Sequence, residues 1–306
     1  MISTLNLINN HIKNDVKLFV DLCEKEYIEQ IIALAKQISD NGDIKIVAIA
    51  GPSASGKTTT AHILMRELDK LNEKTAVISL DDFYFPFKDL PLNPDGSRDI
   101  ESVKALDTVR IEKAFKDIIT TGHALLPQFD FITKTRNENA KEIDIGHRGI
   151  AIVEGLHAIN PEITGIVPHK NILKIYISVN IPILDDTGKR ILSSRQIRLI
   201  RRILRDEKFR GASPEETLFL WDNVVKGENR YLYCFKDTAD VKLTTLHPYE
   251  LCVYKEKFCR MKNSVSADTP SYNYFIRSVN ALENFCPIES KFVPGSSLIR
   301  EFIGNE

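Results

Sequence analysis

Residues 46–64 read IVAIAGPSASGKTTTAHIL. An apolar run leads into Gly51, small residues follow, and Lys57 and three threonines open an amphipathic stretch. The spacing Gly51-x-x-x-x-Gly56-Lys57-Thr58 fits a P-loop, and the chemistry explains it. Gly51, Ser53, Ala54, Ser55 and Gly56 are small enough for backbone N–H groups to turn inward around phosphate oxygens. A helix starting at Lys57 adds its positive end. Lys57 reaches the β- and γ-phosphates, Thr58 offers a hydroxyl to Mg²⁺, and Thr59 continues the first turn beside them. The pattern therefore predicts a bound nucleoside triphosphate with Mg²⁺.

A phosphate cradle alone does not distinguish a kinase from other nucleotide hydrolases. The next strand-like run ends in Ser79-Leu80-Asp81-Asp82-Phe83-Tyr84. In open parallel sheets the carboxyl ends of strands line the ligand crevice. Two acids there would face the γ-phosphate, and one of the pair could act as general base on an attacking hydroxyl. The plainer reading of the pair is helix N-capping. Ile150–Gly155 reads IAIVEG, an apolar strand ending in Glu154. That is where such folds carry an acid for the metal, so Thr58, Glu154 and Asp81 form the expected metal set. A solvated strand end is the alternative.

A third cluster lies at Arg198, Arg201, Arg202 and Arg205. At 100° per residue these fall within an arc of about 100°, with Ile197, Ile200, Ile203 and Leu204 on the other side. Like charges so close repel unless an anion lies between them, and guanidinium forks match phosphate oxygens. Arg210 and Gly211 follow beside a hinge-like glycine. The reading is a phosphate-clamping helical lid over about residues 198–211, against the alternative of a basic face solvated or paired with acids elsewhere.

These groups need a scaffold. Strand-like runs at 45–50, 75–80, 150–155 and 174–179 alternate with helical stretches, which implies a parallel sheet covered on both faces. A helix is expected over 15–40, another over about 57–71, polar helices over 195–230, and one near 271–285. Residues 86–98 carry three prolines and a glycine and read as a long functional loop. The fold class is thus α/β, a P-loop NTPase-type parallel sheet flanked by helices, with a helical lid and helical extensions at both ends. The division expected is 1–42 as an N-terminal helical extension, 43–260 as the P-loop domain and 261–306 as a C-terminal helical segment packed on it. With 306 residues the chain can bury a large core without staples. A net charge of −1 gives no global field for a nucleic acid or an anionic membrane. Five cysteines without a C-x-x-C pair argue for reduced thiols. No apolar run is long enough to span a bilayer and no secretory signal opens the sequence, so a cytoplasmic location is expected. Homo-oligomerisation is left open.

Taken together, GPSASGKTTTA, SLDDFY, LPQFDFITKTR, IVEGLHAIN and RLIRRILRDEKFRG resemble the uridine kinase/phosphoribulokinase family, in order, from about residue 15 to the C-terminus. The likeness is to a branch of uridine-kinase-like proteins with EGIH-x-LNP, RD-x-x-FRG and a C-terminal REFIG; here these read EGLHAINP, RDEKFRG and REFIG. The resemblance implies Asp81 as catalytic base and Tyr84 and Asp99 as nucleoside-pocket residues, Asp99 on the ribose hydroxyls. It also implies Arg136 closing the base-binding segment, and Arg202, Arg205 and Arg210 gripping ATP phosphates. Lys57, Arg202 and Arg205 would then stabilise charge during transfer. Nucleoside kinases of the family have a tyrosine and a histidine where this chain has Phe129 and Lys134, so polar readout of the acceptor differs. A second lid arginine is replaced by Ala212. His157, just after the metal-side acid, reads equally as a substrate contact and as a packed structural histidine. The function expected is ATP-dependent phosphoryl transfer to a small-molecule hydroxyl, foremost the 5′-hydroxyl of uridine or cytidine. The alternatives are another small hydroxyl compound, such as a sugar phosphate or polyol, and a regulatory nucleotide-binding module without an acceptor.

Overall fold

A computed structural model describes residues 3–92, 96, 98–130, 133 and 135–305, Asn139 by its backbone alone. Helices α1 (Leu5–Asn14) and α2 (Val16–Asp40) lead to strand β1 (Ile46–Ala50), followed by α3 (Lys57–Lys70) and β2 (Thr75–Ser79). A 3-10 turn over Leu80–Phe83 and a mostly irregular stretch lead to α4 (Thr108–Thr121). Next come β3 (His123–Asp130), β4 (Thr135–Asp144), β5 (Ile150–Glu154), the short α5 (Pro161–Thr164) and β6 (Ile172–Ser178). A small ribbon, β7 (Ile183–Leu184) and β8 (Arg190–Leu192), precedes α6 (Ser194–Arg210) and α7 (Pro214–Tyr231). The chain ends with β9 (Val241–Thr244), α8 (Glu250–Arg260), α9 (Tyr272–Leu282) and α10 (Arg300–Ile303).

Five strands form a sheet in the order β2-β5-β1-β6-β9, and all its pairings are parallel. The central strand is buried throughout, as its unbroken apolar sequence requires. Its side chains alternate between two cores: Val47 and Ile49 face one, Ile46, Ala48 and Ala50 the other. The first core takes in α2, α3, α6, α8 and α9; the second takes in α4 and the antiparallel β3–β4 hairpin, and β5, like β1, contributes to both. The first core runs without interruption through Ile38 and Ile44, and through Met261 and Val265, so the terminal segments share one hydrophobic interior with the sheet. Among the described residues no helix is long and apolar enough to cross a membrane.

Strands β1, β2, β5 and β6 and the helices over 16–40, 57–70 and 272–282 follow the sequence pattern, whereas the four-residue edge strand β9 is not marked by it. The β3–β4 hairpin is not anticipated by it. Residues 135–144 read TRNENAKEID, with one large apolar residue, so no alternation marks a strand.

Candidate active site

The loop after β1 is shaped by close approaches. A Cβ on Gly51 would lie 2.4 Å from the Ile177 carbonyl oxygen of β6, so only glycine fits there. Gly56 sits at φ +86°, and a Cβ on it would come within 2.6 Å of Leu298 Cδ1. Ala54 adopts φ +57°, a conformation uncommon outside glycine and frequent at functional loops. Among the described residues, the N–H groups of Ala54, Gly56, Lys57, Thr58 and Thr59 have no hydrogen-bond acceptor. Thr60 is the first to bond back, to the Gly56 carbonyl at 2.9 Å. The Ser55 hydroxyl is likewise buried without a partner. Open donors around a helix N-terminus are what a polyphosphate requires.

Two arginines hold the outer side of this loop. Arg198, 2 % exposed, forms a two-pronged ion pair with Glu228 at 2.6 and 2.8 Å and also donates to the Ser53 carbonyl at 3.0 Å. Arg201, fully buried, pairs with Glu250 at 2.7 and 2.9 Å and donates to the Ala54 carbonyl at 3.3 Å. This corrects the sequence reading: Arg198 and Arg201 are not phosphate clamps. They are paired with acids from α7 and α8 and brace the loop from behind. The helix of the expected lid is also fixed along its first half, where Ile197, Leu199, Ile200, Ile203 and Leu204 are buried.

The remaining arginines gather elsewhere. Arg202, Arg205 and Arg210 converge on one carboxylate, Asp206, at 3.3, 2.8 and 3.4 Å. Arg202 also donates to the Ser53 hydroxyl at 2.7 Å, which ties the cluster to the loop. Burial lowers the pKa of Arg202, Asp206 raises it again, and Arg205 and Arg210 push it down. Three guanidinium groups on one acid leave an excess of positive charge beside the cradle.

The acids lie opposite. Glu154, 5 % exposed, ends β5; its carboxylate accepts from Ser79 at 2.9 Å and Thr58 at 3.2 Å. Burial, then repulsion from Asp81, raises its pKa to about 7 against the pull of Lys57. Asp81 opens onto the cleft yet is enclosed by its walls; that enclosure raises its pKa, while Lys57, Arg210 and Arg205 oppose the shift. Thr58, Ser79, Glu154 and Asp81 supply hard oxygen donors, the kind Mg²⁺ accepts. A divalent cation there would also relieve the two close carboxylates, so the residues fit the ion. Asp82 is different: it accepts the Phe129 N–H at 3.3 Å and anchors the hairpin.

A second pocket begins at Tyr84, whose hydroxyl donates to the Ile100 carbonyl at 3.0 Å and whose ring lies 5.9 Å from that of Phe129. Burial and the charges of Asp81, Glu101 and Asp99 all raise the Tyr84 pKa, so these groups share one neighbourhood. Asp99 accepts from the Tyr231 hydroxyl at 3.1 Å. His157 is buried, its Nε2 on the Glu101 carbonyl at 3.0 Å, its Nδ1 without a partner and its ring 5.7 Å from Tyr231. Burial lowers its pKa to about 4. Arg136 pairs with Asp107 at 3.1 Å and Glu138 at 2.6 Å and lies over Phe85, bracing the hairpin against the turn. Lys134 lies outside the described residues.

Several groups here escape sequence reasoning. Glu101 feels Arg202, Asp81 and Lys57, and burial lifts its pKa to about 7; its only signal is a position two residues after Asp99. Glu301 accepts from Thr59 at 2.5 Å across 242 residues, and Leu298 closes on Gly56. Their signal is the REFIG tail, which by itself says nothing of the loop.

A parallel sheet whose central strand runs into this loop defines a P-loop α/β protein. The sequence profile described as "Phosphoribulokinase / Uridine kinase family" matches residues 46–251, more than half of the chain, and the chain belongs to that family. It is similar to a uridine kinase of Staphylococcus haemolyticus, 28% identical over 199 residues, covering 64% of this chain and 85% of that one. A uridine kinase of Mycoplasma genitalium is 30% identical over 180 residues, covering 59% and 75%. Among solved structures, a possible uridine kinase of Bacillus stearothermophilus shares the fold, with a TM-score of 0.50 and 16% identity over 72% of this chain and 98% of that one. The chain is accordingly a small-molecule kinase of the uridine-kinase-like kind, and ATP is the phosphate donor the family implies.

Proposed function

We propose that the protein transfers the γ-phosphoryl group of ATP·Mg²⁺ to the 5′-hydroxyl of uridine or cytidine. The observation that carries this reading is that Asp81 is near enough to feel Lys57 of the phosphate cradle and to act in turn on Tyr84, one member of the Tyr84–Phe129 ring pair. The relatives named as uridine kinases support the choice of a nucleoside.

In this reading the open N–H groups of Ala54, Gly56, Lys57, Thr58 and Thr59 and the Lys57 ammonium hold the β- and γ-phosphates. Thr58, Glu154 and Asp81 would hold Mg²⁺, which would supply charge neutralisation at the phosphates. Arg202, Arg205 and Arg210 stabilise the negative charge that shifts as the bond to the γ-phosphorus breaks. The nucleoside lies with its base against Phe129 and Tyr84 and its ribose hydroxyls on Asp99, with His157 and Arg136 behind. Asp81 orients the 5′-hydroxyl and takes its proton.

The test is ATP consumption with the purified protein over a panel of nucleosides, sugars, polyols, sugar phosphates and pantothenate. Turnover with uridine or cytidine above all other compounds is expected. Preference for a sugar phosphate or polyol would replace the acceptor, and ATP binding without turnover on any acceptor would remove the transfer step.

A further inference from the structure

Behind the loop lies a cavity of about 680 Å³ that the phosphoryl-transfer reading does not use. Arg190, Arg195, Lys236 and Arg277 line it together with Tyr233 and Tyr274, and no aspartate or glutamate does. None of the four cations has an ion-pair partner among the described residues. Asp237, which feels Lys236, is paired with Lys242 at 2.5 Å, and Glu228 is paired with Arg198 at 2.6 Å. The N-terminal end of α6, capped by Ser193, opens into the same space and adds the positive end of a 17-residue helix.

Arg190, Lys236 and Arg277 are exposed and Arg195 is half-buried, so solvent screens much of their repulsion. Together they still leave an excess of positive charge around a concave space, which favours an anion. The size is ordinary for a small-molecule site. The place is distinct from the sites above. The cavity opens at the end of β6, at Tyr176 and Ser178, whereas Asp81 follows β2, on the other side of β1. Lys57, Thr58, Glu154 and Arg205 do not line it. It meets the loop at Pro52 and Arg198, on the side of the Ser53 carbonyl that Arg198 holds.

We propose that this cavity is a second ligand site, for a small polyanion carrying two or more phosphate groups, whether a free polyphosphate or the phosphate tail of a nucleotide. The probes are inorganic pyrophosphate and UTP, titrated calorimetrically into the full chain. Three backgrounds are used: Lys57→Ala, which disables the cradle, the same variant with Arg195→Glu and Arg277→Glu, and the same variant with Arg190→Glu at an exposed position. Binding to the Lys57→Ala protein is expected to weaken at least tenfold in both charge-reversed proteins and as salt is raised. Equal strength for the two probes identifies the phosphates alone as the ligand; tighter UTP binding assigns the tyrosines to the rest of the nucleotide. Circular dichroism melts show whether each variant is folded; the Arg190→Glu variant carries the test if the double reversal is not. Absence of binding to the Lys57→Ala protein at millimolar probe, or equal binding in folded charge-reversed proteins, would overturn the site. Neither readout involves phosphoryl transfer, so failure here leaves the proposed reaction standing, and the reverse.

Discussion

Arg198 and Glu228 form an ion pair sealed from solvent, and both members also grip the same residue of the P-loop. Arg198 donates to the Ser53 carbonyl at 3.0 Å, and Glu228 accepts the Ser53 N–H at 2.8 Å. One residue of the loop is thus fixed from both of its peptide groups by a pair of opposite charges. Removing one partner leaves the other buried and uncompensated, a loss of about 3–5 kcal/mol. Glu228→Gln is therefore expected to lower the melting temperature by about 10 °C and to weaken nucleotide binding, both measurable by calorimetry. A melt within about 2 °C of the wild type would refute the bracing role.

Asp81→Asn keeps the shape of the site and removes the proposed base. The expected result is a fall in kcat of about 10²–10⁴-fold, with ATP affinity held within a few-fold. Steady-state turnover and equilibrium nucleotide binding, measured on the same preparation, separate the two. Retained turnover would take Asp81 out of the mechanism.

Phe129 presents a ring and no hydroxyl to the proposed acceptor pocket. Stacking of a base on an aromatic ring contributes about 1–3 kcal/mol, so Phe129→Ala is expected to raise KM for the nucleoside about tenfold or more while KM for ATP stays unchanged. A shift in KM for ATP instead would move Phe129 to the donor side.

His157 makes stability depend on pH. Burial holds its folded-state pKa at about 4, below the ordinary 6.5. Between those two values the unfolded chain binds more protons than the folded one, so stability falls as pH drops from 6.5 toward 4. The full difference is on the order of 3 kcal/mol. His157→Gln can still donate to the Glu101 carbonyl and does not titrate. Its urea-unfolding free energy is expected to fall less than that of the wild type between pH 7 and pH 4.5. Parallel acid limbs in the two proteins would refute the assignment.

Four of the five sheet strands and the cradle are legible in the sequence because their signals are local. Apolar runs such as IVAIA mark buried strands, and the glycine spacing at 51–58 marks the loop. The fate of the arginine helix is not local. Projection on a helical wheel gathers Arg198, Arg201, Arg202 and Arg205 on one side, yet it cannot tell that Glu228 and Glu250 reach the first two. Those acids come from α7 and α8, and only tertiary packing brings them to α6. The hairpin that carries Phe129 is equally hidden, because a polar, half-exposed strand has no hydrophobic period to display.

The contact of Thr59 with Glu301 has a bearing on how the molecule is made. The loop's neighbours come from far along the chain: Arg198, Arg201, Leu298 and Glu301 all lie well over a hundred residues downstream of it. Contacts of such long range carry a large loop-closure cost and form slowly. Competence to hold a triphosphate is therefore expected to emerge last during refolding, after helical signal has been recovered. A fluorescent nucleotide added during stopped-flow refolding would show this order directly.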